Sequence, residues 1–249
     1  MTDVAALVGD LEAEQRDLQA VIAAIDDDQW LAPTPAWGWD VRDTISHLAD
    51  IDEMAIDTAL GGPYAINEVA SRAASGADVT YQGVLRGRRL DGKGVASWWN
   101  RASAAERAVL LDLPADARIP WGIGMRTPSF VTARLMETWA HGLDVRAAVG
   151  VAAVDTDRLA HVAWLATRAL PYAYSVAGKE PPTAALRVEL TLPSGAVWTF
   201  GPPDATDRIT GTAGDYCRVF VHRRRGADSN LVIEGVVARS AVAVARAFL

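Results

Sequence analysis

Apolar residues recur every three or four positions along the first 150 residues, which is the spacing of amphipathic α-helices. The pattern predicts four long helices, at 4–25, 40–55, 95–111 and 127–149. Asp40 is suited to cap the second of them, because its carboxylate accepts from free amide hydrogens in the first turn. Three segments connect the four helices. They are aromatic loops at 33–39 and 120–125 and a glycine-rich stretch at 61–94 with a short helix near 65–74.

After residue 150 the spacing of the apolar positions changes. Residues 155–176 predict a fifth helix, kinked or broken at Pro171, because proline lacks the amide hydrogen that a helix interior requires. Apolar and polar residues then alternate on both sides of a Pro-Ser-Gly turn, which predicts a β-hairpin. The remaining predicted elements are strands at 186–192, 196–200, 209–212 and 230–235 and helices at 214–221 and 240–249. The C-terminal third is therefore predicted to be α+β.

Charge and cysteine content exclude several classes of protein. The 249-residue chain carries a net charge of −7 with a pI near 5.1, so a nucleic-acid partner is not expected. Neither a run of about 20 apolar residues nor a signal-peptide pattern is present, so we expect a cytoplasmic protein without a membrane partner. Cys217 is the single cysteine, which excludes an intramolecular disulfide and a zinc site built from several thiolates.

Three residues are candidate metal ligands. Glu137 and His141 stand four residues apart in the fourth long helix, so both side chains lie on one face, and His47 in the second helix is the third candidate. The spacing alone is weak evidence, because a surface ion pair explains it equally well. Three protein ligands leave a coordination position for water or substrate, as in catalytic zinc sites. Zinc is the first choice, and iron(II), nickel and manganese are alternatives.

A resemblance to a known family lies in two segments, WDVRDTISHL at 39–48 and ETWAHGLDVR at 137–146. They resemble the metal-binding segments of the DinB-like superfamily, above all its mycothiol-dependent maleylpyruvate isomerase group. The resemblance implies an N-terminal DinB-like four-helix bundle over 1–150 and a smaller α+β domain over 151–249 with a helical connector at 155–178. It also implies that His47, Glu137 and His141 are the metal ligands.

Further residues are candidates for supporting roles. The resemblance implies a substrate-side arginine in the second domain, for which Arg218 or one of the arginines at 223–225 is the candidate. Arg223 and Arg225 belong either to a solvated turn or to a clamp for a carboxylate. Tryptophan side chains either pack in the core or wall a pocket above the metal, and Trp121 is the first candidate, ahead of Trp37, Trp39 and Trp139.

Carboxylates near the two histidines have two interpretations. Asp144 follows His141 by three residues, and Asp50 follows His47 by three, so each carboxylate is placed to orient an imidazole. The alternative is that each is solvated or salt-bridged. Ordinary structural roles are expected for the remaining candidates: His161 and His222 as unremarkable histidines and Cys217 as a packed core residue.

The function predicted from these observations is metal-dependent thiol S-transfer or isomerisation of a small electrophilic substrate. The thiol would be mycothiol or another low-molecular-weight thiol, since Cys217 is expected to be buried. A metal-dependent hydrolase and a non-catalytic metal-binding or sensor protein are the alternatives. The partners expected are a small thiol and a small-molecule substrate, and a homodimer is considered.

Overall fold

The computed structural model describes residues 3–122 and 124–247. The chain divides into two compact units, with the boundary between Ala153 and Val154. Among the described residues, the first unit consists almost wholly of helices and the second combines helices with a four-stranded sheet. Ile123, in the second predicted aromatic loop, and residues 248–249, at the end of the predicted closing helix, lie outside the described part of the chain.

Six helices make up most of the described first unit. They are α1 Val4–Ala24, α2 Val41–Leu60, α3 Ile66–Arg72, α4 Gly76–Gly87, α5 Gly92–Asp112 and α6 Thr127–Val149. The long helices α1, α2, α5 and α6 were all predicted, and α1 and α2 each pack against both α5 and α6. The short strands β1 Arg118–Ile119 and β2 Met125–Arg126 form an antiparallel pair before α6, which the sequence did not predict.

Helix α2 is fixed at its start by a capping box. The Asp40 carboxylate accepts from the Asp43 amide at 2.7 Å, and the Asp43 carboxylate accepts from the Asp40 amide at 3.4 Å. The capping role predicted for Asp40 is therefore confirmed. Ile45 and Leu48 are fully buried one to two turns later. Because the cap sets where α2 begins, it also sets which face of the helix carries His47.

Helix α4 corrects the interpretation of residues 76–87 as loop. Its apolar periodicity is interrupted by glycines, which are poor helix formers. Those glycines let α4 lie directly against α2: a Cβ at Gly87 would overlap the Ser46 hydroxyl, and one at Gly83 would overlap the Asp50 side chain. Close packing on α2 therefore supports a helix whose local sequence disfavours it.

The second unit contains four helices and a sheet in its described part. The elements are α7 Leu159–Arg168, α8 Leu170–Val176, β3 Leu186–Thr191, β4 Val197–Phe200, β5 Asp207–Thr212, α9 Ala213–Phe220, β6 Val232–Glu234 and α10 Val236–Ala243. The strand order is β4-β3-β5-β6, with β3 and β5 parallel and the outer pairs antiparallel. Helix α9 packs on β3 and β5. The predicted α+β character and the hairpin β3–β4 are confirmed.

The predicted fifth helix is broken, as Pro171 indicated, because α7 ends at Arg168 and Pro171 lies in the first turn of α8. The predicted helix start at residue 155 is wrong. Asp155 instead forms an ion pair with Arg218, and the Asp157 carboxylate accepts from the Ser194 amide at 2.9 Å. These side-chain contacts hold the chain before α7 in a non-helical conformation.

The closing helix begins earlier than the predicted residue 240. The Asp207 carboxylate, at the start of β5, accepts from the amides of Val237 at 2.6 Å and Ala238 at 3.4 Å. It therefore caps α10 from a distant position in the sequence, and α10 runs over Val236–Ala243. None of the described helices, here or in the first unit, combines the length and the apolar character needed to cross a bilayer.

A buried ion network joins the long helices of the first unit. Arg134 of α6 donates to Asp52 of α2 at 2.7 Å and to Glu106 of α5 at 2.8 Å, and all three side chains are at most 2% exposed. The Trp99 indole donates to Asp52 at 3.1 Å, and the Gln15 amide of α1 lies 3.4 Å from Glu106. Burial of two carboxyl groups around one guanidinium raises the pKa of Glu106 to about 8, and the charge of Asp52 adds to that rise.

Replacing Arg134 should strongly destabilise the first unit. Arg134→Met removes the donor and the positive charge that both buried carboxyl groups, Asp52 and Glu106, contact, so the free energy of unfolding should fall by about 3–5 kcal/mol. Denaturant unfolding followed by circular dichroism measures it. Arg16→Met is the control, since Arg16 forms a surface pair with Glu12 that should contribute less than about 1 kcal/mol. Equal effects of the two substitutions would contradict the role assigned to the network.

The pH dependence of stability should change in Glu106→Gln. A carboxyl group whose pKa is raised on folding holds a proton that the unfolded chain releases, so stability is lost as pH rises from about 4.5 towards about 8. The wild type should therefore lose on the order of 2 kcal/mol more than Glu106→Gln between pH 5 and pH 8. Urea unfolding at several pH values provides the two profiles. Parallel profiles would show that Glu106 titrates normally.

Candidate metal centre

Helices α2 and α6 bring the three predicted ligands together. The Glu137 Oε2 atom lies 4.0 Å from His47 Nε2 and 3.5 Å from His141 Nε2. One ligand atom from each residue falls within 4.8 Å of the other two, and among the described residues this is the one such group of three. Two ligands of a tetrahedral zinc ion lie roughly 3.4 Å apart, given bonds of about 2.1 Å. Small side-chain rotations would therefore suffice for the three residues to hold a common ion.

The Glu137 carboxyl group is ionised at neutral pH. Its burial alone would raise its pKa, but hydrogen bonding to His141 and the charges of His141, Arg134 and His47 outweigh burial and lower the pKa to about 2. Arg134 lies three residues before Glu137 on α6, so the buried ion network and the candidate centre share one helix. The carboxylate is thus held in the charged form that a cation requires.

Asp144 occupies the position expected of a residue that orients a metal-binding histidine. Its carboxylate lies 3.3 Å from His141 Nδ1 and is 2% exposed, so the alternative of a solvated Asp144 is wrong. A carboxylate beside Nδ1 is a common way to orient a metal-binding imidazole, and the contact of Asp144 with His141 is an ion pair. Asp50 is buried as well, but its carboxylate accepts from the Tyr64 hydroxyl and from Arg86. These contacts give Asp50 a role in packing α4, and the segment between α2 and α3, on α2.

The Trp39 side chain contacts two of the candidate ligands. Its ring centroid lies 5.0 Å from that of His47 and 6.2 Å from that of His141, and it is nearly parallel to the latter. The two imidazole rings are 4.8 Å apart with an interplanar angle of 68°. Trp121 was predicted ahead of Trp39 as a pocket wall, whereas Trp39 has ring contacts to both histidines.

The other tryptophans considered have different surroundings. Trp121 packs 5.4 Å from Phe130 and against the apolar side chains Ile51, Met54 and Val79. Trp139 is buried, whereas Trp37 is 98% exposed. Packing against α2 is therefore the role that the structure gives Trp121, and its predicted contact with a cofactor stays a prediction.

The predicted arginines of the second unit already have partners. Arg218 forms a two-point ion pair with Asp155 at 2.7 and 2.8 Å, and Arg225 forms one with Asp228 at 2.6 and 3.0 Å. Arg223 donates to the Val221 carbonyl at 2.7 Å. A substrate carboxylate would have to displace these acceptors, so the substrate-binding roles of Arg218, Arg223 and Arg225 stay predictions.

Cys217 and His222 have the structural roles expected of them. Cys217 is fully buried with its sulfur 3.6 Å from the Leu159 carbonyl, and burial raises the pKa of its thiol well above the usual value. His222 Nε2 lies 2.6 Å from the Ala245 carbonyl. Neither residue is placed as a nucleophile or a metal ligand, and Cys217 is confirmed as part of the core.

The fold and the three convergent side chains define a helical protein with a candidate cation site between two long helices. A sequence model described as the mycothiol maleylpyruvate isomerase N-terminal domain matches residues 11–146. The chain belongs to this family. It is also 35% identical, over all 249 residues, to uncharacterised proteins from two strains of Mycobacterium tuberculosis, CDC 1551 / Oshkosh and H37Rv, and covers 97% of each.

Solved structures support the same assignment of fold. Crystal structures of the mycothiol-dependent maleylpyruvate isomerase and of a histidine-to-alanine mutant of it superpose with a TM-score of 0.60. Each match covers 94% of this chain and 95% of the other, at 14% and 12% sequence identity. At this identity the similarity establishes the fold alone.

Proposed function

We propose that the protein binds one divalent metal ion through His47, Glu137 and His141 and uses it in thiol-dependent transfer or isomerisation of a small electrophile. The observation that carries the proposal is the convergence of two Nε2 atoms on one oxygen of an ionised, half-buried carboxylate. Helices α2 and α6 carry these residues, and we interpret α1, α2, α5 and α6 as the DinB-like four-helix bundle. Zinc is the first choice of metal, with iron, nickel and manganese as alternatives.

The thiol is proposed to come from a small cofactor. Cys217 is inaccessible and its pKa is raised, so the chain offers no thiolate of its own. Membership of a family named for mycothiol makes mycothiol the first candidate. A bound divalent cation would favour the deprotonated form of a thiol near neutral pH. The chain's residues supply the rest: Asp144 orients His141, and Arg134 helps to keep Glu137 ionised.

Membership of the family indicates the broad class of the substrate. The protein of the two similar crystal structures is a mycothiol-dependent maleylpyruvate isomerase, and we propose for this chain a substrate of the same broad class, a small electrophile. Because the Arg218 guanidinium is already paired with Asp155, we do not assign substrate binding to an arginine of the second unit. A homodimer and a cytoplasmic location remain predictions from the sequence.

Metal content should depend on the three ligands. Untagged wild-type protein should carry close to one equivalent of metal, while His47→Ala and Glu137→Ala should lose most of it, because two remaining ligands hold a divalent ion weakly. Elemental analysis after gel filtration measures the content. His161→Ala, in the second unit, is the control and should keep the wild-type content. Equal metal content in all four proteins would show that the three residues do not form a metal site.

Mycothiol should stabilise the metal-loaded protein selectively. Ligand at about 100 times its Kd contributes roughly 2.7 kcal/mol, so the melting temperature should rise by several degrees. The metal-free protein and Glu137→Ala should show no comparable rise in a thermal-shift assay. An equal rise in the metal-free protein would show that mycothiol binds independently of the metal. Turnover of ester or amide substrates without any thiol would instead identify a metal-dependent hydrolase.

A further inference from the structure

We infer that Trp39 is a positioning residue for the candidate metal centre: its indole packs on both histidine ligands and sets the direction of their Nε2 atoms. The contacts are the two ring pairs described above, at 5.0 Å to His47 and 6.2 Å to His141. This inference rests on the proposed function, because the orientation of the two rings has a chemical consequence only if they bind a cation.

The loop that carries Trp39 is held firmly before α2 begins. The Trp39 carbonyl accepts from the Thr34 amide at 2.9 Å and from the Thr34 hydroxyl at 3.1 Å, and its amide donates to the Ala36 carbonyl at 3.0 Å. Gly38 adopts a φ of 77°, which reverses the chain directly before Trp39. These contacts form a closed turn, so the backbone places the indole independently of any metal.

The loop is also tied to the helices that follow it. Asp40, the next residue, caps α2 through its hydrogen bond with Asp43. Arg88, directly after α4, donates to both oxygens of the Asp43 carboxylate at 3.0 and 2.7 Å and lies 3.4 Å from the Gly38 carbonyl. The backbone of Trp39 is therefore anchored on both sides in the sequence, which fixes the point from which its indole reaches the two histidines.

The indole restricts the ring orientation of the two histidines, which hydrogen bonds alone do not fix. An imidazole rotates about a broad terminal torsion, so its nitrogen atoms need support from neighbouring groups. The Asp144 carboxylate lies 3.3 Å from His141 Nδ1 and supports that ring through its charge. Trp39 packs beside the same ring and beside His47, so one rigid aromatic plane restricts both ligands. It also covers one side of the centre with apolar surface, which lowers the local dielectric and strengthens charge interactions there.

Cobalt(II) titration of metal-free protein tests the inference through two signals. Visible absorption of bound cobalt reports affinity and ligand geometry. Tryptophan emission reports proximity, because a bound cobalt ion quenches a nearby indole. The variants are Trp39→Ala, Trp39→Phe and Trp37→Ala, the last being the matched control, since Trp37 belongs to the same loop but is 98% exposed. Thermal melting of each metal-free variant checks that it folds.

The expected result is a graded effect that is specific to residue 39. Trp39→Ala should bind cobalt roughly tenfold more weakly, the lower end of the range for residues that support metal ligands, with an altered visible spectrum. Trp39→Phe should recover most of the affinity, because it keeps an aromatic face, yet lose the larger part of the emission quenching. Trp37→Ala should match the wild type in affinity, spectrum and quenching.

Two outcomes would overturn the inference, and they are distinguishable. If folded Trp39→Ala binds cobalt with wild-type affinity and spectrum, Trp39 is a packing residue and the proposed metal site stands without it. If the wild type itself binds neither cobalt nor zinc, the proposed function fails and the inference fails with it. Should Trp39→Ala fail to fold, the affinity, spectrum and quenching of Trp39→Phe decide the question.

Discussion

The buried contact of Arg134 with Asp52 and Glu106 is the constraint on which the rest of the first unit depends. It fixes α6 against α2 and α5 at a point close to the candidate ligands, since Asp52 follows His47 by five residues and Arg134 precedes Glu137 by three. Sliding either helix by one turn would leave buried charges without partners, at a cost of several kcal/mol. We therefore interpret the network as the device that sets helix register, and hence the spacing of the ligands.

The same arginine links the register of the helices to the chemistry of the site. Its positive charge acts on Glu137 from the amino-terminal side, while the two histidines act from the opposite direction along the helix and across to α2. Burial alone would favour a neutral carboxyl group, yet the surrounding groups keep it ionised. A negative ligand oxygen is thus prepared by the fold itself, and a cation entering the site does not have to displace a proton from Glu137.

Local signals in the sequence were sufficient for the long helices, the Asp40 cap and the β3–β4 hairpin, because each depends on residues within one or two turns. The features that the sequence pattern did not predict depend on contacts between residues distant in the sequence. Helix α4 exists because glycines at 83 and 87 fit against α2, and α10 starts early because Asp207 caps it. The burial of Asp144 depends likewise on neighbours that no spacing rule identifies. The convergence of His47 with Glu137 was reached through family resemblance, since the pattern of either helix alone does not reveal its neighbour.

The family match covers the part of the chain that carries the candidate metal ligands. Residues 11–146 include all three candidate ligands, Asp144 and the arginine that sets the register. The conditions for holding a cation therefore lie wholly within the shared segment, and α2 and α6 meet them without help from the second unit. The second unit lies outside the matched segment, and three of its arginines, Arg218, Arg224 and Arg225, form ion pairs with Asp155, Asp215 and Asp228, respectively. Knowledge of the family consequently informs the choice of cofactor more strongly than the choice of substrate.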